Sequence, residues 1–307
     1  MSLAEDYRAL RDDVAVRAVA RDVVELRGPD AESYLQGQCS QDVAGLAVGE
    51  SADALLLSPQ GKLEAYVRVT RTAADTFVLD TDGGYGPTVR SRLERFKLRV
   101  KADLETLELR CVAVRGPGTP PEAGQWPGVS LVVPFRWGTQ QGVDLFGPDP
   151  TPPPAVHRSG AAAWEARRVE SGIPAMGAEL DERTIAAEAG LLERCVSFTK
   201  GCYTGQELVA RLDARGNRVA RRLRGLVIGG SVPSDADAAP PVAAGTALVH
   251  PETGKVVGAV TSSAWSPSLG AVALGYVHRD VEPPASVTVS AAGPAGEAEV
   301  RVLPLVD

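Results

Sequence analysis

The sequence predicts an α+β protein that ends in a small β-barrel or sandwich. Three observations predict it. Residues 51–128 read as strand, strand, strand, helix, strand, strand, the order of an antiparallel sheet with a helix on one face. The chain beyond residue 242 is all short strands separated by frequent turns. The 307 residues are 44% hydrophobic and 23% charged, a globular profile with room for about two domains of ~150 residues each.

Each element has a local reason. Residues 14–27 alternate apolar with polar, and Val14, Val16, Val23 and Leu26 mark two short strands. Gly28-Pro29-Asp30 ends the second, and Asp30 caps a short helix over 31–36. Ser40 then caps a second helical turn. Residues 51–57 and 63–70 are strands joined by Ser58-Pro59-Gln60-Gly61-Lys62, which is turn chemistry. Residues 77–80 form another strand. In 88–98, Val89, Leu93 and Phe96 recur at helical spacing, with Arg90, Arg92, Glu94 and Arg95 on other faces. Strands return at 99–102 and 107–114.

A Gly- and Pro-rich loop covers 116–128. Strands follow at 129–135 and 142–146, and the five prolines of 147–154 force extended chain. Residues 161–169 form a helix that Ser171-Gly172-Ile173-Pro174 brings to an end. A strand is expected at 195–198. The Pro/Ala/Asp stretch 231–242 is a linker. Strands follow at 247–250, 256–262, 271–277, 285–289 and 297–303, with Pro251–Gly254 a tight turn.

Composition narrows the function. The net charge of −7 and 5% aromatic content argue against a nucleic-acid coat and against base stacking, so no stable nucleic-acid binding is expected. No apolar run reaches the ~20 residues of a membrane span, and the N-terminus lacks a signal-peptide core, so a cytoplasmic location is expected. The four cysteines, Cys39, Cys111, Cys195 and Cys202, form no C-x-x-C pair, and the three histidines lie far apart. No metal site is expected, and in a reducing compartment the thiols are free. Arg211, Arg215, Arg218, Arg221, Arg222 and Arg224 read as a solvated face or as an anion site.

Residues 200–207, Lys-Gly-Cys-Tyr-Thr-Gly-Gln-Glu, concentrate reactive chemistry in eight positions. Gly201 and Gly205 let the backbone bend. Thr204 and Glu207 have capping-box spacing, so Thr204 is placed as the N-cap of the helix that carries Leu208, Val209 and Leu212. Cys202 then lies just before the positive end of a helix, two residues from Lys200. Both neighbours favour thiolate over thiol and predict a lowered Cys202 pKa. The competing reading is a cysteine that packs as a small hydrophobe.

That motif, running on into Leu208-Val209-Ala210-Arg211, resembles the signature of the YgfZ family, folate-binding relatives of the aminomethyltransferase (T-protein) of the glycine cleavage system. Tyr34-Leu35-Gln36-Gly37-Gln38 with Asp42, the Gly61-Lys62 turn and the stretch 164–188 extend the resemblance over nearly the whole chain. It implies three domains around a central cavity: residues 1–50 with 129–220, residues 51–128 (α+β, ferredoxin-like), and a C-terminal β-barrel, 221–307. It implies tetrahydrofolate or a derivative as ligand, with Glu170 matching a glutamate that accepts from pterin N–H groups.

The resemblance also places Gln38, Lys62, Tyr203, Gln206 and Arg211 at the folate site, Lys62 as a partner for the glutamate tail. It makes Cys202 and Lys200 the chemical centre. Gly201, Thr204, Gly205 and Glu207 shape the motif. The implied role is support of iron–sulfur cluster assembly or repair and, through client enzymes, tRNA modification. One departure stands out. Where aminomethyltransferases carry paired aspartates, one catalytic, this chain has Glu64-Ala65. A folate-dependent aminomethyltransferase or demethylase using Glu64 as acid/base is the alternative, and a non-catalytic scaffold the second alternative.

Overall fold

A computed structural model describes residues 2–233, 239–290 and 296–306 of the chain. The chain opens with α1 (Leu3–Asp12), β1 (Ala15–Val19), β2 (Arg21–Arg27) and α2 (Ala31–Gln38). It continues through β3 (Ser51–Leu57), β4 (Leu63–Ala73), β5 (Thr76–Asp82), α3 (Gly86–Phe96), β6 (Asp103–Leu107) and β7 (Arg110–Arg115). Next come β8 (Leu131–Trp137), β9 (Gln140–Gly147), β10 (His157–Arg158), α4 (Ala161–Glu170), the single turn α5 (Leu192–Cys195) and α6 (Gln206–Asp213). The last stretch is β11 (Arg221–Gly229), β12 (Ala247–Val249), β13 (Val256–Ser266), β14 (Gly270–His278), β15 (Ala285–Val289) and β16 (Gly296–Arg301).

The first sheet has the order β3-β4-β5-β2-β6, antiparallel throughout. Alternation along its strands gives it two different faces. Val24, Leu26, Leu56, Val67, Val69, Phe77 and Leu79 pack with Leu35 of α2 and with Val89 and Leu93 of α3. The opposite face carries Leu55, Leu57 and Tyr66, which pack against Met176, Leu191, Cys195 and Val209. A second sheet, β10-β1-β7-β9-β8, has its own core around Val16, Val114, Trp126 and Leu145. The barrel closes as β11-β14-β13-β12-β15-β16. Helices α1 and α4 lie between the second sheet and the barrel, burying Leu3, Tyr7, Leu10, Ala166 and Val169 against Leu223, Val272 and Leu274.

The sheets cut across the expected boundaries at 50 and 128. Strand β2, from the segment 1–50, pairs with β5 and β6, while β7, from 51–128, pairs with β1 and β9. Residues 21–107 therefore build the first sheet with its two helices. Strand partnership is non-local, and hydrophobic alternation specifies which face a strand buries but not its neighbour.

Four local expectations are corrected. Helix α1 was not expected; Ser2 caps it in a reciprocal box with Glu5. Ser40 caps no helical turn: its Oγ donates to the Cys195 carbonyl and accepts from the Leu55 N–H, tying two segments together. Residues 195–198 are not a strand, because Leu191, Leu192, Cys195 and Val196 bury themselves at helical spacing, the first turn of which is α5. The N-cap of α6 is Gly205, not Thr204. Of the expected linker 231–242, residues 234–238 lie outside the described residues.

Candidate functional site

The three quoted motifs meet in one knot. Gly205 holds a left-handed φ of 82°, and a Cβ there would stand 2.5 Å from the Ser58 carbonyl. Gly61, at φ 79°, faces it, and its own Cβ would stand 2.5 Å from Leu208 Cβ. The two backbones touch only because both residues are glycine. The Thr204 N–H donates to the Gly37 carbonyl at 3.1 Å, and the Ser197 N–H to the Ser40 carbonyl at 3.0 Å. Gln206 closes the turn by accepting from the Tyr203 N–H at 3.1 Å. Tyr203 is buried, and burial, with Cys39 beside it, pushes its phenol up to about 12.

Lys200 does not serve the thiol. Its Nζ donates to the carbonyls of Gln36, Cys39 and Gln41 at 2.6, 2.9 and 2.7 Å. Burial pulls its pKa below the ordinary lysine value, against the pull of Cys39 and Asp42. Cys202 is exposed, while Cys39, Cys111 and Cys195 are buried. Burial raises those three thiols, Cys39 to about 11. Lys62, Gly201, Glu207 and Arg211 are exposed around the knot.

Gln38 faces inward, its Oε1 accepting from Arg92 Nη1 at 2.9 Å. Arg92 is almost completely buried, donates to the Leu57 carbonyl, and pairs with Glu64 at 2.7 Å. Arg95 pairs with the same carboxylate at 3.3 Å. Glu64 is thus held between two arginines.

The central cavity lies elsewhere. It has a volume of about 330 Å³, in the range of small-molecule sites. Its walls come from the first sheet (Arg21, Asp53, Tyr66, Arg68, Asp82), the second sheet (Arg115, Phe135, Arg136, Trp137, Asp144) and α4 with the chain after it (Trp164, Arg167, Arg168, Ile173, Pro174). None of Gln38, Lys62, Glu170, Lys200, Cys202, Tyr203, Gln206 or Arg211 lines it. The expected single site is therefore two places: an outward-facing knot and a separate cavity.

Glu170 sits behind the cavity wall. It is fully buried, accepts from the Tyr7 hydroxyl at 3.0 Å and pairs with Arg167 at 2.9 Å. Helix α1, absent from the expectation, supplies Tyr7 and covers the carboxylate. Burial, then the Glu170 charge, raises the Tyr7 pKa.

The residues missed from the sequence are the charges of the cavity wall. Arg68 pairs with Asp80 at 3.0 Å and Asp144 at 2.8 Å; Arg115 pairs with Asp144 at 2.7 Å; Arg21 joins Asp80 and Asp82. Burial alone would raise the Asp144 carboxyl, but Arg115, Arg68 and Arg21 hold it down to about 2. The Arg115 guanidinium stacks 3.5 Å over Phe135, and Arg194, paired with Asp53, stacks 4.2 Å over Trp137. A signal was present: Val67-Arg68-Val69, Leu79-Asp80 and Val114-Arg115 place single charges inside apolar strands. Among the described residues Arg136 is the one lining arginine without a carboxylate partner. Among the described residues the buried Arg167 Nε has no acceptor.

Of the arginine run after α6, Arg221 pairs with Glu188 at 3.0 Å and Arg222 donates to the Asn217 carbonyl at 2.6 Å. Among the described residues no cluster of His, Cys, Asp or Glu could hold a metal ion, and no helix is long and apolar enough to cross a membrane.

Residues 1–121 match the family model of the GCVT N-terminal domain, and residues 221–307 that of the glycine cleavage T-protein C-terminal barrel domain. The tRNA-modifying protein YgfZ of Edwardsiella ictaluri is 27% identical over 219 residues, 63% of this chain and 65% of that protein. A mitochondrial iron–sulfur cluster assembly factor IBA57 homolog of Pyricularia oryzae is 26% identical over 207 residues, 64% of this chain and 53% of that protein. The chain thus spans between about half and two thirds of the length of these relatives. The fold matches the crystal structure of glycine cleavage system aminomethyltransferase T from Bartonella henselae, with a TM-score of 0.81 at 22% identity, over 99% of this chain and 89% of that one. On these matches the chain belongs to the aminomethyltransferase superfamily, in its YgfZ-like branch.

Proposed function

We propose that the protein binds tetrahydrofolate or a derivative in the central cavity and supports iron–sulfur cluster assembly or repair and, through client enzymes, tRNA modification. Cys202 is its working thiol. The observation that carries this reading is the cavity lining, flat aromatic faces set among arginines. Trp137, Phe135 and Trp164 offer surfaces to a pterin and an aminobenzoyl ring. Arg136, exposed and without a carboxylate partner among the described residues, suits the glutamate tail, the role expected of Lys62. The Arg167 Nε supplies a donor for a carbonyl acceptor on the ligand. A reduced folate carries one-carbon units on its pterin. This chain's residues bind it, orient it and screen its acidic tail.

The relatives named for tRNA modification and for iron–sulfur cluster assembly support the wider role. The outward position of Cys202 suits a thiol that meets a partner from solvent, and speaks against the inert, buried cysteine of a scaffold. The aminomethyltransferase reading has less support. Glu64 is paired with Arg92 and Arg95 away from the cavity, and Asp53, Asp82 and Asp144 are each paired with arginine.

Tetrahydrofolate titrated into the protein, followed by tryptophan fluorescence and calorimetry, tests the cavity. Trp137→Ala weakens binding about tenfold, and Arg136→Ala several-fold. Wild-type protein that binds no folate would remove the reading. In a deletion strain, Cys202→Ala abolishes rescue of iron–sulfur enzyme activity while folate affinity stays at the wild-type value.

A further inference from the structure

Lys200 and the end of α2 form a cage that is separate from the cavity and independent of whether the cavity takes folate. Helix α2 ends at Gln38, with Cys39 as its C-cap. The last carbonyls of a helix have no intrahelical partner and sit at the negative end of its dipole. Here the carbonyls of Gln36, Cys39 and Gln41 converge on one point, and the Lys200 Nζ fills it, within 2.9 Å of all three. Three acceptors meet three ammonium protons, so the lysine is bound as a cation with no proton left for the thiol. Around the cage, the Thr204 N–H reaches Gly37 and the Ser197 N–H reaches Ser40. The loop bearing Cys202 is thereby fastened on both sides of the thiol, to α2 at Gly37 and to the chain just beyond it at Ser40.

We propose that Lys200 is a built-in cation that positions Cys202, and that without it the three carbonyls form a site for a free monovalent cation. The chemical class follows from the cage. Carbonyl oxygens at this spacing take ammonium or potassium, which are similar in size and need no directional fork. A guanidinium is planar and cannot send three protons to converging oxygens from one nitrogen. Arginine is therefore a poor substitute although it keeps the charge.

The test uses the full chain carrying Lys200→Ala, with ammonium, potassium or tetramethylammonium chloride at about 0.1 M. Expected for Lys200→Ala in tetramethylammonium is a thermal midpoint lower by about 5 °C or more. Deuterium uptake across residues 197–206 rises, and so does the rate of Cys202 alkylation. Ammonium and potassium return all three toward wild type and leave the wild-type protein unmoved. Under every salt Lys200→Arg stays at the values that Lys200→Ala shows in tetramethylammonium. Where Lys200→Ala does not fold without the small cations, Lys200→Gln is expected to show the same cation-selective recovery. The proposal is overturned if Lys200→Met keeps wild-type uptake and midpoint, or if ammonium and potassium act no better than tetramethylammonium. Folate affinity, measured alongside, reports on the cavity alone.

Discussion

Asp144 shows how a single residue couples the cavity to stability. It is buried on β9 between Arg68 and Arg115, which hold its carboxyl down to about 2 after the opposing effect of burial. A depressed carboxylate contributes stability above its unfolded pKa, about 3.9, and loses it as pH falls through the folded value. The window is therefore pH 4 to 2, and the contribution is on the order of 2 kcal/mol. Asp144→Asn takes the carboxylate from Arg115 and leaves Arg68 with Asp80 alone. It costs about 3–5 kcal/mol at pH 7 in urea unfolding, with a flatter acid limb than wild type. An unchanged acid limb would show that the group does not carry this effect. Cys202 gives a second prediction at this scale. As the exposed cysteine beside three buried ones, it is the thiol that iodoacetamide labels first in the native protein, which peptide mass mapping reads directly.

Among the elements, the contact between the Gly61 turn and the start of α6 controls the site. A side chain at 205 meets Ser58 O at 2.5 Å and Leu57 Cβ at 2.7 Å, on a backbone with φ 82°. Gly205→Ala therefore costs at least about 1–2 kcal/mol from the left-handed conformation alone, and steric overlap adds to it. Gly201, which has open space around it, serves as the control: Gly201→Ala shifts the thermal midpoint far less. A Gly205→Ala protein as stable as Gly201→Ala would mean that the turn moves freely off α6. The surroundings of Glu64 are set at this scale as well. Strand β4 turns Ala65 into the α2/α3 core, and Glu64 pairs with Arg92 of α3, so an ion pair holds the carboxylate of the hairpin.

Across the whole molecule, Glu179 links the barrel to the cavity wall. Its buried carboxylate accepts from Arg168 at 2.9 Å, from Thr261 and Ser262 of β13 at 2.7 and 2.6 Å, and from the Ala175 N–H at 3.0 Å. The Tyr276 hydroxyl of β14 reaches its carbonyl at 2.9 Å. Arg168 and Ala175 both line the cavity, so the barrel braces the wall. Glu179→Ala leaves Arg168 with Glu165 alone and costs about 3–5 kcal/mol. Limited proteolysis is expected to release the barrel from Glu179→Ala sooner than from wild type. Equal protease resistance would assign the docking to the apolar contacts of Leu223, Val272 and Leu274 with α1 and α4.

Local physics in the sequence determined the strands and helices whose periodicity is strong, the Gly61 turn, the bend around Gly205 and the motif that identified the relatives. Each depends on residues close in the chain, where spacing and backbone freedom suffice. Only tertiary structure decided which strands share a sheet, which is why β2 and β7 crossed the expected boundaries. It also decided where side chains point. Lys200 turned to carbonyls at and just beyond the end of α2, Glu170 disappeared behind Tyr7, and Arg92 drew Gln38 and Glu64 away from the cavity. The cavity's own arginines and aspartates come from strands far apart in sequence, and their pairing follows from burial. A charge taken out of water needs its counter-ion wherever the chain brings one, and sequence order does not record that meeting.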